Sequence, residues 1–202
     1  MTRPTGSGPF PALLSRKLAI AALALGLGFA VSGPARADFG NTVGADTTIA
    51  DSAAKGDLSE INKAILRGLS PDGTDVSGTP AIVLAAQKGQ NDAVRYLLAR
   101  GARPDSTDRD GNAALNIVAF NGNDGLAEIL LAGGADANKT GADRDVPLIV
   151  ATRQHSTGVV KVLIAYKADL TETDLTGRTA LDIAKERRFN DIVKLLEAAG
   201  AP

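Results

Sequence analysis

The chain offers few side chains that could bind a transition metal, because it contains one histidine, His155, and no cysteine. Zinc, iron and copper sites take several nitrogen or sulfur donors. His155 stands where two earlier segments have a glycine that ends a helix, Gly89 and Gly122. We therefore expect a backbone role in a turn for His155 in preference to a pH-responsive group. We also expect neither a metal nor a cofactor.

A calcium loop is the next chemistry to consider, because Asp105, Asp108, Asp110 and Gly111 lie close together. They lack the D-x-[DN]-x-[DN]-G spacing and the closing glutamate of an EF-hand, so the segment is predicted to be a turn. The sequence also displays no G-x-S-x-G motif, no phosphate-binding glycine loop and no Ser/His/Asp set. The protein is therefore predicted not to be an enzyme. A hydrolase or metal-dependent enzyme that uses the acidic hairpins is the alternative.

One aromatic residue, Phe120, is a candidate for binding a partner protein. The residues 33 positions before and after it, Gln87 and Arg153, are polar, and so is Glu186 one interval further on. A large aromatic side chain at an otherwise polar surface position is typical of a binding hot spot. We predict that Phe120 is an exposed anchor, with packing against a local hairpin as the alternative.

Charged residues near the same segments have two interpretations. Three arginines on successive repeated segments could form a basic stripe that binds an acidic partner: Arg109, Arg153 and Arg178. Three acidic residues alternate with them: Asp110, Asp143 and Asp145. We favour a solvated surface whose charges compensate one another.

The overall charge distribution excludes two classes of partner. The chain has 22 basic and 23 acidic residues, and its first 37 residues hold four basic residues and no acidic one. Residues 38–202 therefore contain 18 basic and 23 acidic residues, a net charge of −5. Nucleic acids and anionic lipids bind positive surfaces, so neither is expected as a partner. A monomer that binds a partner protein is predicted.

The N-terminal 37 residues have the three regions of a cleaved export signal. The pair Arg16–Lys17 precedes an uncharged apolar run, Leu18–Val31, and Ala35-Arg36-Ala37 has the A-x-A form of a cleavage site. A membrane-spanning helix takes about 20 residues, so the run is short for an anchor. We predict cleavage between Ala37 and Asp38 and a periplasmic or secreted protein without a membrane anchor. An uncleaved anchor or a buried helix is the alternative.

A repeated structural unit must position the candidate residues. Two sets of glycines recur at a fixed interval of 33 positions: Gly56, Gly89, Gly122 and Gly68, Gly101, Gly134. Each glycine is predicted to end a short helix, so every unit contains two helices. A fixed period of this length is typical of a stacked array. The predicted fold class is an all-α repeat solenoid of about five helix-turn-helix units with short hairpin loops.

The second helix of each unit is predicted to carry an apolar stripe with i, i+3, i+4 spacing. The stripe contains two sets of residues, which we treat as equivalent: Val94, Leu97, Leu98 and Leu126, Ile129, Leu130. The fourth unit is irregular, because His155 and Lys167 stand at the glycine positions. If both adopt a positive φ, each costs about 1 kcal/mol relative to glycine.

Four segments carry a resemblance to a known family: Gly111–Asn123 (GNAALNIVAFNGN), Val159–Leu170 (VVKVLIAYKADL), Gly177–Arg188 (GRTALDIAKERR) and Asp191–Ala201 (DIVKLLEAAGA). They resemble the ankyrin repeat, and the resemblance covers about Asp46 to Pro202. The Thr-Pro-Leu-His box of that family is degraded. Other residues take the place of its histidine: Val83, Asn116, Ile149 and Asp182.

The resemblance implies an L-shaped array with a concave face, where partners bind the hairpin tips and the inner side of the first helices. Carried over to matching positions, the predicted partner-binding residues are Gln87, Lys88, Arg109, Asn112, Phe120, Asn121, Arg153, Gln154 and Arg178. The predicted organisation is a signal peptide (1–37), a lead-in (38–45) and an ankyrin-repeat domain (46–202) with units 46–78, 79–111, 112–144, 145–177 and 178–202.

The predicted function is a non-catalytic protein–protein interaction module in the bacterial periplasm that binds a partner protein through its concave face. The resemblance to exported ankyrin-repeat proteins suggests assistance to an exported stress-defence enzyme. An inhibitor or immunity protein that blocks a toxin or hydrolase is one alternative, and a purely structural array is another.

Overall fold

The structure, a computed structural model, describes residues 47–202 and contains ten α-helices over that range. In chain order they are α1 (Thr47–Lys55), α2 (Leu58–Leu66), α3 (Ala81–Gln87), α4 (Asn91–Ala99), α5 (Ala114–Asn121), α6 (Asp124–Ala132), α7 (Pro147–Arg153), α8 (Thr157–Ala165), α9 (Ala180–Glu186) and α10 (Asn190–Ala198). The predicted all-α array of five helix-turn-helix units is confirmed. Each of the six glycines predicted to end a helix lies one or two residues after the last residue of a helix.

The helices form two layers. Each first helix of a pair packs on the first helix of the next pair, and each second helix packs on the next second helix. The first helices approach one another more closely, because the residues between them are short and fully buried: Ala85, Val118, Ala151 and Ala184. Closer packing of the first helices agrees with the resemblance to the ankyrin repeat, which implies that they line a concave side of the array.

The apolar stripe of the second helices fills the space between the layers. In α6, Leu126 and Leu130 are fully buried. The assignment in α4 was wrong by one residue, because the counterparts of this pair, 33 positions earlier, are Ala93 and Leu97. Both are buried, and so is Val94 of the predicted stripe, whereas Leu98 is partly exposed. Apolar residues occupy adjacent positions in α4, so its spacing alone fits two registers.

Glycines with positive φ end the helices, among them Gly122 (φ 72°) and Gly134 (φ 93°). The fourth unit keeps this conformation without glycine, at His155 (φ 54°) and Lys167 (φ 65°). The positive φ considered from the 33-residue interval is therefore confirmed at both residues. A residue with a Cβ is less stable in this region than glycine by about 1 kcal/mol.

Two further residues adopt a positive φ that was not predicted, Arg144 (φ 60°) and Arg188 (φ 59°). They stand 33 positions after Gly111 and His155, so the same interval accounts for them. Two of the four non-glycine residues in this conformation, His155 and Lys167, lie in the fourth unit, and Arg144 immediately precedes it. The fourth unit therefore has the least favourable backbone of the array.

Side-chain clips, hydrogen bonds between consecutive units, connect the first four units along the loops that follow the second helices. In three equivalent bonds, a side-chain Oδ1 accepts from the backbone N–H 31 residues later. The bonds join Asp72 to Arg103 (2.8 Å), Asp105 to Asp136 (3.0 Å) and Asn138 to Asp169 (2.8 Å). The accepting residues recur at the 33-residue interval, so the clips form a ladder along the stack.

The predicted signal peptide (1–37), its cleavage site Ala37/Asp38 and the lead-in (38–45) lie outside the described residues. The export signal therefore stays a prediction. Within residues 47–202, no helix combines the length and the hydropathy that crossing a bilayer requires.

Candidate protein-binding surface

An aspartate closes three of the four hairpins described between units. Its Oδ1 accepts two backbone N–H groups, two and four residues further on, at 2.8 to 3.0 Å. These aspartates are Asp75, Asp108 and Asp174. At the same 33-residue interval the remaining hairpin, residues 139–146, has Gly141. We call it the fourth-unit hairpin; it lacks the side chain that closes the others.

Two asparagines of the third unit occupy part of the space at Gly141. Asn116 Nδ2 donates to backbone carbonyls at both ends of the fourth-unit hairpin, at 3.0 and 3.4 Å, and Asn112 Oδ1 accepts from the backbone N–H of Ala142 at 3.1 Å. A Cβ at position 141 would lie 2.9 Å from Asn112 Oδ1 and 3.1 Å from Asn116 Nδ2. Glycine therefore permits the close approach that connects the two units.

A cavity of about 280 Å³ lies beside these asparagines. Three residues form its apolar wall, Ile117, Phe120 and Val150, and its polar lining includes Asn112, Asn116 and Asp145. Phe120 is 61% exposed. The predicted exposure of this side chain is observed, whereas its role as an anchor stays a prediction.

Asp145 is an incompletely satisfied carboxylate in the cavity lining. The residue is 4% exposed, and its Oδ2 is paired with the guanidinium of Arg153. Its Oδ1 is buried and has no hydrogen-bond partner among the described residues. Burial raises the pKa of Asp145 more than the neighbouring Arg153 lowers it. A buried acceptor without a donor is costly, so a donor that reached Oδ1 would be stabilised there.

Besides pairing with Asp145, Arg153 takes part in a network of ion pairs at the next hairpin. Its Nη2 donates to Asp174 Oδ2 at 2.9 Å, and Arg178 donates to the same oxygen at 2.9 Å and to Glu186 at 2.7 Å. Burial alone would raise the pKa of Asp174, but the hydrogen bonds that this carboxylate accepts outweigh burial and hold the pKa well below its usual range. Two arginines of the predicted stripe thus bind the chain's own carboxylates, which supports the interpretation of compensated charges.

The other predicted binding residues lie apart along the first helices. Arg109 is exposed, and a Cβ at Gly78 of the preceding hairpin would lie 3.5 Å from its Nε. Four residues at the C-terminal ends of α3, α5 and α7 are exposed: Gln87, Lys88, Asn121 and Gln154. Of the nine predicted residues, Asn112 and Phe120 border the cavity. The cavity therefore brings together part of the predicted surface and leaves the rest as a discontinuous row.

His155 has side-chain contacts in addition to the positive φ of its backbone. Its Nε2 lies 2.9 Å from Asp191 Oδ1, and its ring stacks on Phe189 with 4.0 Å between ring centroids. Hydrogen bonds from Thr157 and His155 hold the pKa of Asp191 well below its usual range. The imidazole therefore joins the fourth unit to the fifth. His155 has this side-chain role in addition to the backbone role predicted from the sequence.

The acidic residues considered as a calcium loop bind backbone groups. Asp108 Oδ1 accepts two N–H groups of its own hairpin, and Asp105 Oδ1 accepts from Asp136 of the next unit. These bonds support the predicted turn. Within the described part of the chain, no group of three or more His, Asp or Glu residues is placed to hold a metal ion.

Several cavity residues were absent from the predicted binding set, among them Gly141, Asn116 and Ile117. A sequence signal for Gly141 exists, because an aspartate recurs at the 33-residue interval and is missing there. Asn116 was noted only as the residue in place of the box histidine. The unsatisfied oxygen of Asp145 has no sequence signal, since it depends on which side chains approach it.

The comparison with protein families agrees with this fold. A family model described as ankyrin repeats (3 copies) matches residues 49–141 and 115–201. These matches cover well over half of the chain, and the chain belongs to the ankyrin-repeat family. Members of this family are generally non-catalytic modules that bind other proteins. A search of curated protein sequences finds no match to the chain.

Proposed function

We propose that the protein is a non-catalytic module, exported to the bacterial periplasm or secreted, that binds a partner protein through the concave side of its array. The observation that carries the proposal is Phe120, an aromatic side chain that is 61% exposed beside a cavity. Binding hot spots favour large aromatic residues near the centre of a patch with a polar surround. Asn112 and Asn121 supply polar neighbours on the same unit.

Binding through the concave side is expected to form an interface of ordinary size. A standard interface buries about 800 Å² on each partner. The exposed ends of α3, α5 and α7 spread the predicted binding residues over three consecutive units. The role that we propose for binding is assistance to an exported stress-defence enzyme, on the basis of the resemblance to exported ankyrin-repeat proteins.

A pull-down from periplasmic extract tests the binding function. The protein, its Phe120→Ala variant and a Lys161→Ala variant serve as baits, because Lys161 is an exposed residue of a second helix. We expect one partner protein to be recovered with the unchanged protein and with Lys161→Ala, and to be lost with Phe120→Ala. Equal recovery with all three baits would exclude Phe120 as the anchor.

N-terminal sequencing tests the proposed export. The proposal rests on the basic pair, the apolar run and the A-x-A motif of residues 1–37. We expect the exported protein to begin at Asp38. A soluble protein that begins at Met1 would contradict cleavage.

A further inference from the structure

The C-terminal end of the array is attached by contacts that differ from those at the earlier junctions. We call residues 174–202, with the hairpin closed by Asp174, α9 and α10, the C-terminal segment. We propose that this segment is an acid-sensitive end of the array, which detaches and unfolds as one body when the pH falls while α1 to α8 stay folded. A terminal unit of a repeat array contacts one neighbour, so it can open without the rest. This inference does not depend on the proposed binding function.

The clip found at the three earlier junctions cannot form at the fourth–fifth junction. Its acceptor and donor would be the residues 33 positions after Asn138 and Asp169, which are Thr171 and Pro202. Proline has no backbone N–H to donate. The hydroxyl of Thr171 donates to Asp169 of the same unit, at 2.7 Å. The C-terminal segment is therefore held without the bond that connects the earlier units.

Ionisable side chains make the hydrogen bonds that cross the fourth–fifth junction. Among the described residues there are four: Arg153 to Asp174 (2.9 Å), Arg187 to the carbonyl of Arg153 (2.9 Å), His155 to Asp191 (2.9 Å) and Thr157 to Asp191 (2.5 Å). A carboxylate, that of Asp174 or Asp191, takes part in three of them. The attachment of the segment therefore depends on two groups that acid can protonate.

Contacts of the closed junction hold both carboxylates in the charged form. Burial alone would raise the pKa of Asp174, but the hydrogen bonds that it accepts outweigh burial and lower the pKa. Hydrogen bonds from Thr157 and His155 lower the pKa of Asp191. In the unfolded segment both aspartates have the ordinary pKa of about 3.9, so that state binds more protons near and below this pH. The stability that the two carboxylates contribute is therefore present above about pH 3.9 and is lost as the pH falls.

The charged groups that face Asp174 favour the same direction. Arg153 and Arg178 both donate to its Oδ2, each at 2.9 Å. The two arginines have one further carboxylate each, Asp145 for Arg153 and Glu186 for Arg178. Protonation of Asp174 removes the negative charge between two guanidinium groups that remain close together. Their mutual repulsion therefore adds to the loss of the ion pairs.

The earlier junctions depend less on a charged carboxylate. Hydrogen bonds across the third–fourth junction use the side-chain amides of Asn112, Asn116 and Asn138, which do not titrate. The clips of Asp72 and Asp105 accept a backbone N–H, and a protonated carboxyl keeps a carbonyl oxygen that can accept it. Acid is therefore expected to act first on the fourth–fifth junction.

Two positions show which side chains the C-terminal segment covers. Val160 is fully buried, whereas the residue 33 positions later in the last unit, Val193, is partly exposed. Thr152 is also fully buried, and its counterpart in the last unit, Lys185, is exposed. Detachment of the segment would therefore uncover the face of α7 and α8 that contains Thr152 and Val160.

Two unfavourable features of the closed junction assist detachment. Thr152 Oγ1 is buried and has no hydrogen-bond partner among the described residues. A buried polar group without a partner costs free energy, which water restores when the group becomes exposed. Within the segment, Arg188 adopts a φ of 59°, where a Cβ is crowded. Opening of the segment relieves both features.

Hydrogen exchange monitored by nuclear magnetic resonance tests the proposal on the purified protein at about pH 6, 4.5 and 3. Protection factors, corrected for the intrinsic effect of pH, are compared at equivalent positions of α10 and α6. Between about pH 6 and 3, we expect protection to fall at least about tenfold at Leu195 and Leu196, and less than about threefold at Ile129 and Leu130. A parallel fall in both helices, or no fall in α10, would overturn the proposal.

A variant of each carboxylate type separates the junction from the rest of the segment. Asp174→Asn should lower the protection of α10 at about pH 6 and reduce its further fall at about pH 3. Glu197→Gln is the matched control, because Glu197 pairs with Lys185 inside the segment at 3.2 Å. It should leave the pH dependence of α10 unchanged. Loss of the pH dependence in Glu197→Gln would contradict the role of the junction carboxylates.

A third variant tests the junction even where Asp174→Asn leaves the segment unfolded at every pH. Thr152→Val keeps the shape of the side chain and removes the unpaired hydroxyl. It should raise the protection of α10 about fivefold at about pH 6 and leave that of α6 unchanged. An equal rise in α6 and α10 would show that the segment opens only together with the whole array, which would overturn the proposal.

Discussion

Two neighbouring junctions, where consecutive units of the array meet, have different side chains at equivalent positions. The third–fourth junction has three residues at the positions that matter: Phe120, Gly141 and Asp145. At the 33-residue interval the fourth–fifth junction has Arg153, Asp174 and Arg178. The second set forms ion pairs at 2.9 Å, whereas the first set borders a cavity of about 280 Å³. A few substitutions at fixed positions thus decide whether a junction is closed by its own side chains or open to another molecule.

The largest effect should come from removing the carboxylate that closes the fourth–fifth junction. Asp174→Ala leaves Arg153 and Arg178 without their shared partner and removes the hairpin's closing hydrogen bonds, so we expect a loss of about 3 kcal/mol in the free energy of unfolding. Asp145→Ala should cost about 1 kcal/mol, because this carboxylate is already incompletely satisfied. Urea unfolding measures both values. Equal losses would mean that the two junctions do not differ energetically.

The next effect distinguishes binding from stability at equivalent positions. Phe120→Ala should weaken partner binding by about 2 kcal/mol and change the free energy of unfolding by less than about 0.5 kcal/mol. Arg153→Ala should instead lower stability by about 2 kcal/mol, because two buried carboxylates lose their shared cation. Binding isotherms and urea unfolding of both variants test this contrast. A sharp drop in the unfolding midpoint of Phe120→Ala would place this residue in the core.

The 33-residue interval explains which parts of the fold and of the candidate site could be predicted from the sequence. Helix ends depend on a local requirement, positive φ after the last turn, so glycines at a fixed interval located the units, and His155 and Lys167 fitted the same positions. The exposure of Phe120 followed from its polar counterparts. The contact of Asn116 with the fourth-unit hairpin could not be predicted in this way. It requires a missing Cβ at Gly141, and it brings the Asn116 side chain to the backbone carbonyl of Asp145, 29 residues further along the chain.

A smaller effect should follow when Arg144 of the fourth-unit hairpin is replaced by glycine, the residue at the equivalent position of the next hairpin. Arg144 (φ 60°) occupies the position that Gly177 (φ 79°) occupies one unit later. Arg144→Gly should raise the free energy of unfolding by about 1 kcal/mol, since glycine has no Cβ to crowd the carbonyl. Arg144→Ala keeps the Cβ and serves as the control without a gain. Thermal unfolding measures both, and equal values for the two variants would exclude backbone strain as a difference between the hairpins.

The smallest effect is a difference in pH dependence between the two carboxylates. The pKa of Asp174 is lower in the folded state than in the unfolded state, where an aspartate has a pKa of about 3.9. Near and below that pH the unfolded state therefore binds more protons. The stability contributed by Asp174 is present above about pH 3.9 and is lost as the pH falls. The raised pKa of Asp145 has the opposite sign. Its folded state binds more protons above about pH 3.9, so its contribution to stability improves as the pH falls toward that value.

Urea unfolding at about pH 6, 4.5 and 3 measures this difference. The stability lost in Asp174→Asn relative to the unchanged protein should shrink as the pH falls. The stability of the unchanged protein relative to Asp145→Asn should rise from about pH 6 to 4.5, by about 1 kcal/mol or less. Parallel pH profiles for the two variants would show that the carboxylates have similar environments.

The ladder of clips from Asp72, Asp105 and Asn138 has a mechanical consequence. The three clips join the first four units, with one clip at each junction between them, so one clip opens when one of these units detaches. A chain stretched by its two ends would lengthen in equal increments, each close to the contour length of one unit, roughly 110 Å when fully extended. Under tension these units would therefore detach one at a time.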